Sequence, residues 1–272
     1  MYMVDVEDEH DALSWAAKFN RPMSKVNAAH LYAREANVCA GHQSALWMPE
    51  VCSIRNPRLG KSLRASLEKS SRVTLYEHHE VQHLLLDNGK VHGVATAQDD
   101  IIGGKTIITA GAWSGELLKP LSVSLPVEPV KGQMMIFKAP VGTVNRVILM
   151  GGRYVIPRND GRVLVGSTLE REGFDKNITQ DAYQSLHQTA VQIIPALAKC
   201  EVEHHWAGLR PGSPEGVPFI GDVPGIDGLA VNAGQYRNGL VLAPASTRMH
   251  ADMLLGRAPV VNPVAYQLEG RI

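Results

Sequence analysis

The chain has 272 residues, 44% of them hydrophobic, and its 27 Lys plus Arg balance 27 Asp plus Glu, leaving no net charge at neutral pH. That size and apolar share can fill one large core or two medium ones, and without a net field neither nucleic acid nor an anionic membrane surface is expected as partner, which leaves a small molecule. Cys39, Cys52 and Cys200 form no C-x-x-C pair, which argues against a disulfide framework or structural zinc and suits a reducing cytoplasm; the acidic opening MYMVDVEDEH and the lack of any apolar run near ~18 residues argue against export and membrane insertion.

In chain order, Tyr2 to Val6 reads as a short strand and Asp8 to Phe19 as a helix with Leu13, Ala16 and Ala17 on one side. Arg58 to Lys69 places Leu59, Leu63 and Leu67 at helical spacing. Val73 to Tyr76, Val81 to Leu86 and Val91 to Ala97 read as strands. The last two are joined by Asp87-Asn88-Gly89, whose Asn-Gly supplies the positive φ values of a tight hairpin. Lys105 to Ala110, KTIITA, is a β-branched run ending at Gly111, with Trp113 and a helix just beyond, the order of segments at a nucleotide-binding sheet edge.

The middle third changes character. Val127 to Phe137, Arg146 to Met150, Tyr154 to Pro157 and Val163 to Ser167 are short strands separated by Gly, Pro and Asn-Asp-Gly turns, so a mostly antiparallel sheet is expected. An amphipathic helix follows from Thr179 to Lys199, carrying Tyr183, Leu186, Ala190, Ile193 and Leu197 on one face, with Thr179 or Asp181 as cap and Pro195 as a kink or stop. Leu229 to Asn232 reads as a strand, and Leu240 to Leu255 as a helix with Pro244 in its first turn and Gly256 closing it.

Two segments carry the chemistry: HWAGLRPGSPEGVPFIGD, from His205 to Asp222, and AGQYRNGLVLAPAS, from Ala233 to Ser246, each with an arginine in a turn fixed by glycine and proline. In the second, a strand ends, Gly234 and Gly239 let the backbone turn, and a helix begins with free N–H groups and the positive end of its dipole. Such an end stabilises an anion, for instance the pyrimidine edge of a reduced flavin; it is also what an ordinary strand-to-helix turn looks like. Arg210 offers a planar, permanently charged fork that suits either a substrate carboxylate or a surface pair with Glu215 or Asp222. Tyr154, in GGRYVIPRNDGRVLVGS, can donate to the same carboxylate while its ring walls the pocket, or can pack half-buried on its strand. Arg237 either adds positive charge over that pocket or ties its loop to the sheet. Adjacent histidines at 78–79 and 204–205 point to opposite faces of a strand, so no metal is expected, and Ser167, Ser213 and Ser246 lack the G-x-S-x-G context of a hydrolase.

These segments closely resemble the glycine oxidase (ThiO-type) branch of the D-amino acid oxidase family of FAD-dependent oxidoreductases. The resemblance runs from about Tyr2 to Gly256 and rests also on TAGAWSGELLKPL at 109–121, PVKGQMM at 129–135 and RYVIPRNDGRVLVGSTLE at 153–170. It implies an α/β (α+β) fold in which an incomplete FAD-binding, Rossmann-like domain (57–126 and 206–272) is interleaved with an antiparallel-sheet substrate domain (1–56 and 127–205). By motif, it implies that Arg210 and Arg237 contact the amino acid carboxylate with help from Tyr154. Gln235, Tyr236, Arg237, Asn238, Gly239, Leu240 and Val241 would line the flavin, Val81 would bring its backbone to the adenine, and Leu169 would lie near the substrate side chain. The implied reaction is oxidative deamination of glycine or a small amino acid, with FAD as cofactor and molecular oxygen as acceptor. It would give an imine and hydrogen peroxide, the imine serving thiazole synthesis in thiamine biosynthesis. No strong protein base is needed when the amine reacts in its neutral form. The family opens with G-x-G-x-x-G and an acidic ribose-binding residue, whereas this chain contains no G-x-G-x-x-G, so a missing N-terminal portion is expected. Alternatives are a subunit that needs a separate dinucleotide-binding chain and an amino acid binding protein without redox function; a homo-oligomer also stays open.

Overall fold

A computed structural model describes residues 1–272. The elements in chain order are strand β1 (Tyr2–Val4), helix α1 (Glu9–Lys18), β2 (Ser24–Asn27), α2 (Ala28–Tyr32), β3 (Ser44–Trp47), α3 (Asn56–Glu68), β4 (Val81–Asp87), β5 (Lys90–Thr96), β6 (Asp100–Ile102), β7 (Thr106–Ile108) and α4 (Ser114–Leu118). They continue with β8 (Glu128–Lys138), β9 (Ile148–Met150), β10 (Arg153–Pro157), β11 (Arg162–Gly166), α5 (Gln180–Ile193), β12 (Glu201–Gly212), β13 (Phe219–Asp222), β14 (Leu229–Ala233) and α6 (Gly239–Leu254). The chain divides into two compact units, one formed by Met1–Val73, Gly132–Leu169 and Lys176–Gly208 and the other by Thr74–Lys131, Glu170–Asp175 and Leu209–Ile272.

In the first unit an eight-stranded sheet runs in the order β12-β8-β11-β10-β9-β1-β3-β2. From β8 to β2 its pairings are antiparallel apart from β1 with β9, as the short strands and Gly-rich turns predict. The periodicity of α5 places Leu186, Ala190 and Ile193 in one core with Met135, Phe137, Ile148, Val155 and Val165. Burying each large side chain of this kind contributes ~1.5–3 kcal/mol. Thr179 caps the helix, its hydroxyl accepting from the Ala182 N–H at 3.3 Å, and Pro195 opens a separate 3-10 turn once α5 has ended.

The second unit holds two three-stranded sheets, β13-β14-β7 and β4-β5-β6. Strand β14 pairs parallel with β7 and antiparallel with β13, and its Leu229 and Val231 are fully buried with Leu118, Phe219 and Leu268 nearby in the same core. The β4–β5 hairpin turns through Asn88 (φ 46°) and Gly89 (φ 76°), the conformations the Asn-Gly pair predicts. Strand β7 forms a sheet edge, and its Ile107 is 40% exposed.

Several expectations change. Val73 to Tyr76 is irregular rather than a strand, and Val73, Leu75 and Tyr76 are exposed; β propensity makes no strand where no neighbour pairs with it. Helix α3 forms where the leucine spacing puts it, yet buries none of its residues. Arg210 lies inside β12 instead of in a turn, because the strand runs on through Pro211 and the chain turns only at 213–216. Pro244 sits in the interior of α6, past the first turn, since the helix starts at Gly239. Strands β2, β3, β6, β12 and β13 and helix α2 are too short or too polar to announce themselves by periodicity. No helix is long and apolar enough to cross a membrane.

Candidate active site

The strand-to-helix connection between β14 and α6 is built by its glycine. Gly234 has φ +83°, a left-handed conformation that strains any other residue, and a Cβ there would be tight at 3.1 Å from the Ser213 Cβ and 3.3 Å from a Val127 methyl. The Ser213 hydroxyl donates to the Gly234 carbonyl at 2.6 Å, and Gln235 Nε2 donates to Asn232 Oδ1 at 2.5 Å. Asn238 begins α6 without a side-chain capping bond, and the Leu242 N–H reaches back to the Asn238 carbonyl at 2.9 Å. The N–H groups of Gly239, Leu240 and Val241 therefore open the helix uncapped, at the positive end of its dipole. Leu240 is 43% and Val241 82% exposed, so the same helix start offers apolar surface beside backbone donors. A flat ring with an acceptor edge needs both.

The two arginines arrive from different elements. The Tyr236 N–H donates to the Pro211 carbonyl at 2.9 Å, joining the 234–238 loop to the end of β12. Arg210 and Arg237 each stand one residue from that bond. Arg210 is half-buried; Arg237 is exposed and has no ion-pair partner. Asp222, one alternative partner for Arg210, is held instead by the Lys105 ammonium at 2.5 Å.

In the other unit, Tyr154 projects from β10 opposite Gly166 of β11. A Cβ at position 166 would lie 3.0 Å from the Tyr154 hydroxyl, so the ring occupies space only glycine leaves. That hydroxyl makes just a weak bond to Met134 Sδ at 3.8 Å. Leu169, 52% exposed, follows β11 in the chain. Val81 begins β4, paired with Thr96 in the separate β4-β5-β6 sheet. The structure thus gathers Arg210 and Gln235–Val241 around one backbone junction, places Val81 in another sheet of the same unit, and carries Tyr154 and Leu169 on the first unit.

Other groups were invisible in the sequence. Cys39 Sγ lies 3.2 Å from His42 Nε2, whose Nδ1 is 2.9 Å from Asp5 Oδ1, the order of a nucleophile relay. Burial, and then the Asp5 charge, push the Cys39 thiol up, the opposite of what activates a thiolate nucleophile. A cavity of about 660 Å³ in the second unit is bounded by Lys105, Asp222, His250 and Met253, around the C-terminal half of α6, and includes none of the predicted site residues. Lys131 and Gln133 are wholly buried on β8. The alternation of polar residues in PVKGQ was the only available signal for them.

The mixed α/β chain thus offers free backbone donors at a helix start and two arginines flanking one backbone junction, an arrangement that suits an anionic ligand. Residues 1–253 match the model of the FAD dependent oxidoreductase (DAO) family, and the chain belongs to that family. It is 51% identical over all 272 residues to a glycine oxidase of Pseudomonas aeruginosa, covering 75% of that protein, and 34% identical over 81% of its length to the bifunctional protein ThiO/ThiG of Synechocystis, covering 34% of that protein. The crystal structure of a glycine oxidase from Bacillus cereus superposes with a TM-score of 0.89 at 29% identity, over 97% of this chain and 73% of that one. FAD is the cofactor of the family, and the donors and apolar surface at the start of α6 fit its ring.

Proposed function

We propose that this protein oxidises glycine or a small amino acid to the corresponding imine, with molecular oxygen as final acceptor and hydrogen peroxide as product. The observation that supports this reading is the Tyr236–Pro211 bond, which joins the end of β12, one residue beyond Arg210, to the loop that carries Arg237 into the uncapped start of α6. Bound FAD supplies a two-electron acceptor. Arg210 holds the substrate carboxylate through its bidentate fork, and Arg237 adds charge over the same group. Tyr154 donates its hydroxyl to that carboxylate, and Leu169 bounds the side-chain space. Gly239, Leu240 and Val241, with Gln235, Tyr236, Arg237 and Asn238, would hold the flavin end of the cofactor through their backbone donors, and Val81 would hold its adenine end. The amine reacts unprotonated, so no residue of the chain is assigned as base. On this reading 57–126 and 206–272 serve the cofactor and 1–56 and 127–205 the substrate, in a reducing cytoplasm, and the imine feeds thiazole formation, as the ThiO/ThiG likeness suggests.

Peroxide release from the FAD-loaded protein with glycine, sarcosine and D-alanine tests this. Arg210→Lys keeps the charge and loses the fork, so KM is expected to rise about tenfold or more, in keeping with the strength of charge-assisted pairs. Unchanged KM in that variant rules Arg210 out as the clamp. A second reading is favoured by the edge position of β7 and its exposed Ile107: the flavin site is completed by a further polypeptide segment, of the same or another chain, that pairs along β7.

A further inference from the structure

Strand β8 changes chemistry along one face. Positions 131, 133, 135 and 137 alternate onto one side, where Met135 and Phe137 join the core of the first unit, but Lys131 and Gln133 are polar and equally buried, at 0% exposure. Burying an ammonium or an amide is costly unless it is paired. Both are paired, and with one segment.

Lys131 Nζ is hydrogen-bonded to the Glu172 carboxylate and lies 3.3 Å from Glu170 and 3.6 Å from Asp175. The backbones of Lys131 and Glu170 exchange two bonds of 2.9 Å. The Glu172 bond raises the Lys131 pKa against the opposing effect of burial, so the cation persists at any working pH. Gln133 holds the two ends of the same segment. Its N–H donates to Thr168 Oγ1 at 2.8 Å and its carbonyl accepts from the Thr168 N–H at 3.2 Å, while its side-chain amide accepts from the Thr179 N–H at 3.0 Å and donates to Thr179 Oγ1 at 3.1 Å. Between them the chain has no helix and no strand of its own. The Trp113 and Phe174 rings, 5.6 Å apart, and an Arg171–Glu128 ion pair add to the hold.

We propose that Lys131 is a positioning residue: with Gln133 it clasps segment 168–179 and so fixes Leu169, and this clasp sets which amino acid side chain the site admits. The selectivity rests on the oxidase reading; the clasp itself does not. Lys131→Met in the 272-residue chain keeps the apolar stem, removes the ammonium and leaves Glu170, Glu172 and Asp175 to repel one another. Hydrogen exchange is expected to accelerate about tenfold or more at amides 169–175, with β10 and α5 unchanged. Glu172→Gln, an alteration on a half-exposed side chain, is expected to accelerate the same amides less, and Lys131→Arg to restore most of the protection. In the FAD-loaded protein, Lys131→Met is expected to raise KM about tenfold with kcat within about twofold, and to narrow the preference between glycine and D-alanine. Unchanged exchange in Lys131→Met and Glu172→Gln overturns the clasp. Faster exchange with unchanged KM and preference overturns its control of selectivity. The expected exchange in a protein that retains bound FAD yet oxidises no amine, wild type included, supports the clasp and overturns the oxidase reading.

Discussion

Arg210 and Tyr154 differ in how far their surroundings commit them. Arg210 is held by a strand whose end is bonded to the helix-opening loop, so its position follows from backbone geometry. Tyr154 depends on a neighbour's missing side chain: Gly166→Ala puts a methyl 3.0 Å from its hydroxyl. That variant is expected to lose about 1–3 kcal/mol of stability in denaturant titration, the usual cost of overpacking, and to raise KM if Tyr154 touches substrate. A further residue-scale consequence concerns His250, 4% exposed, whose pKa burial pushes below its ordinary value. The unfolded chain then binds a proton that the folded one resists, so stability falls as pH drops below about 6.5. In His250→Gln the melting temperature is expected to decline less between about pH 7 and about pH 5; an identical decline would show that other groups govern acid sensitivity.

At the scale of elements, what was legible was local. The β4–β5 hairpin was readable because Asn88-Gly89 supplies its turn without help from the rest of the chain, and α5 because a sustained apolar stripe meets a sheet. Strand β12 was not readable: Gly208, Pro211 and Gly212 are turn residues by habit, and only pairing in the sheet keeps them extended. Val73 to Tyr76 failed in the opposite sense, with β-forming residues and no strand to pair with. In the candidate site, the Gly234–Val241 turn was visible as a motif, whereas the Tyr236–Pro211 bond joins residues 25 apart and the Lys131 clasp joins residues about 40 apart, separations that no local pattern reports. A lysine in a strand reads as surface; only its three carboxylates make burial tolerable.

At the scale of the whole molecule, the chain matches its glycine oxidase relatives along its full length while covering about three quarters of theirs. Exposed apolar side chains occur on segments that the family resemblance assigns to the cofactor side, among them Leu63, Leu67, Leu75, Ile107 and Val241. On the proposed reading the start of α6 supplies donors for one end of FAD, so the central question is whether this chain holds the cofactor with the residues it has. The most direct measurement is the visible spectrum of the purified 272-residue protein after incubation with FAD and desalting, read together with its melting temperature. Retained flavin bands with a raised melting temperature, the linkage signature of a ligand that binds the folded state, are the expected result. Colourless protein with an unchanged melting temperature would contradict flavin binding by this chain and leave the further segment along β7 as the requirement.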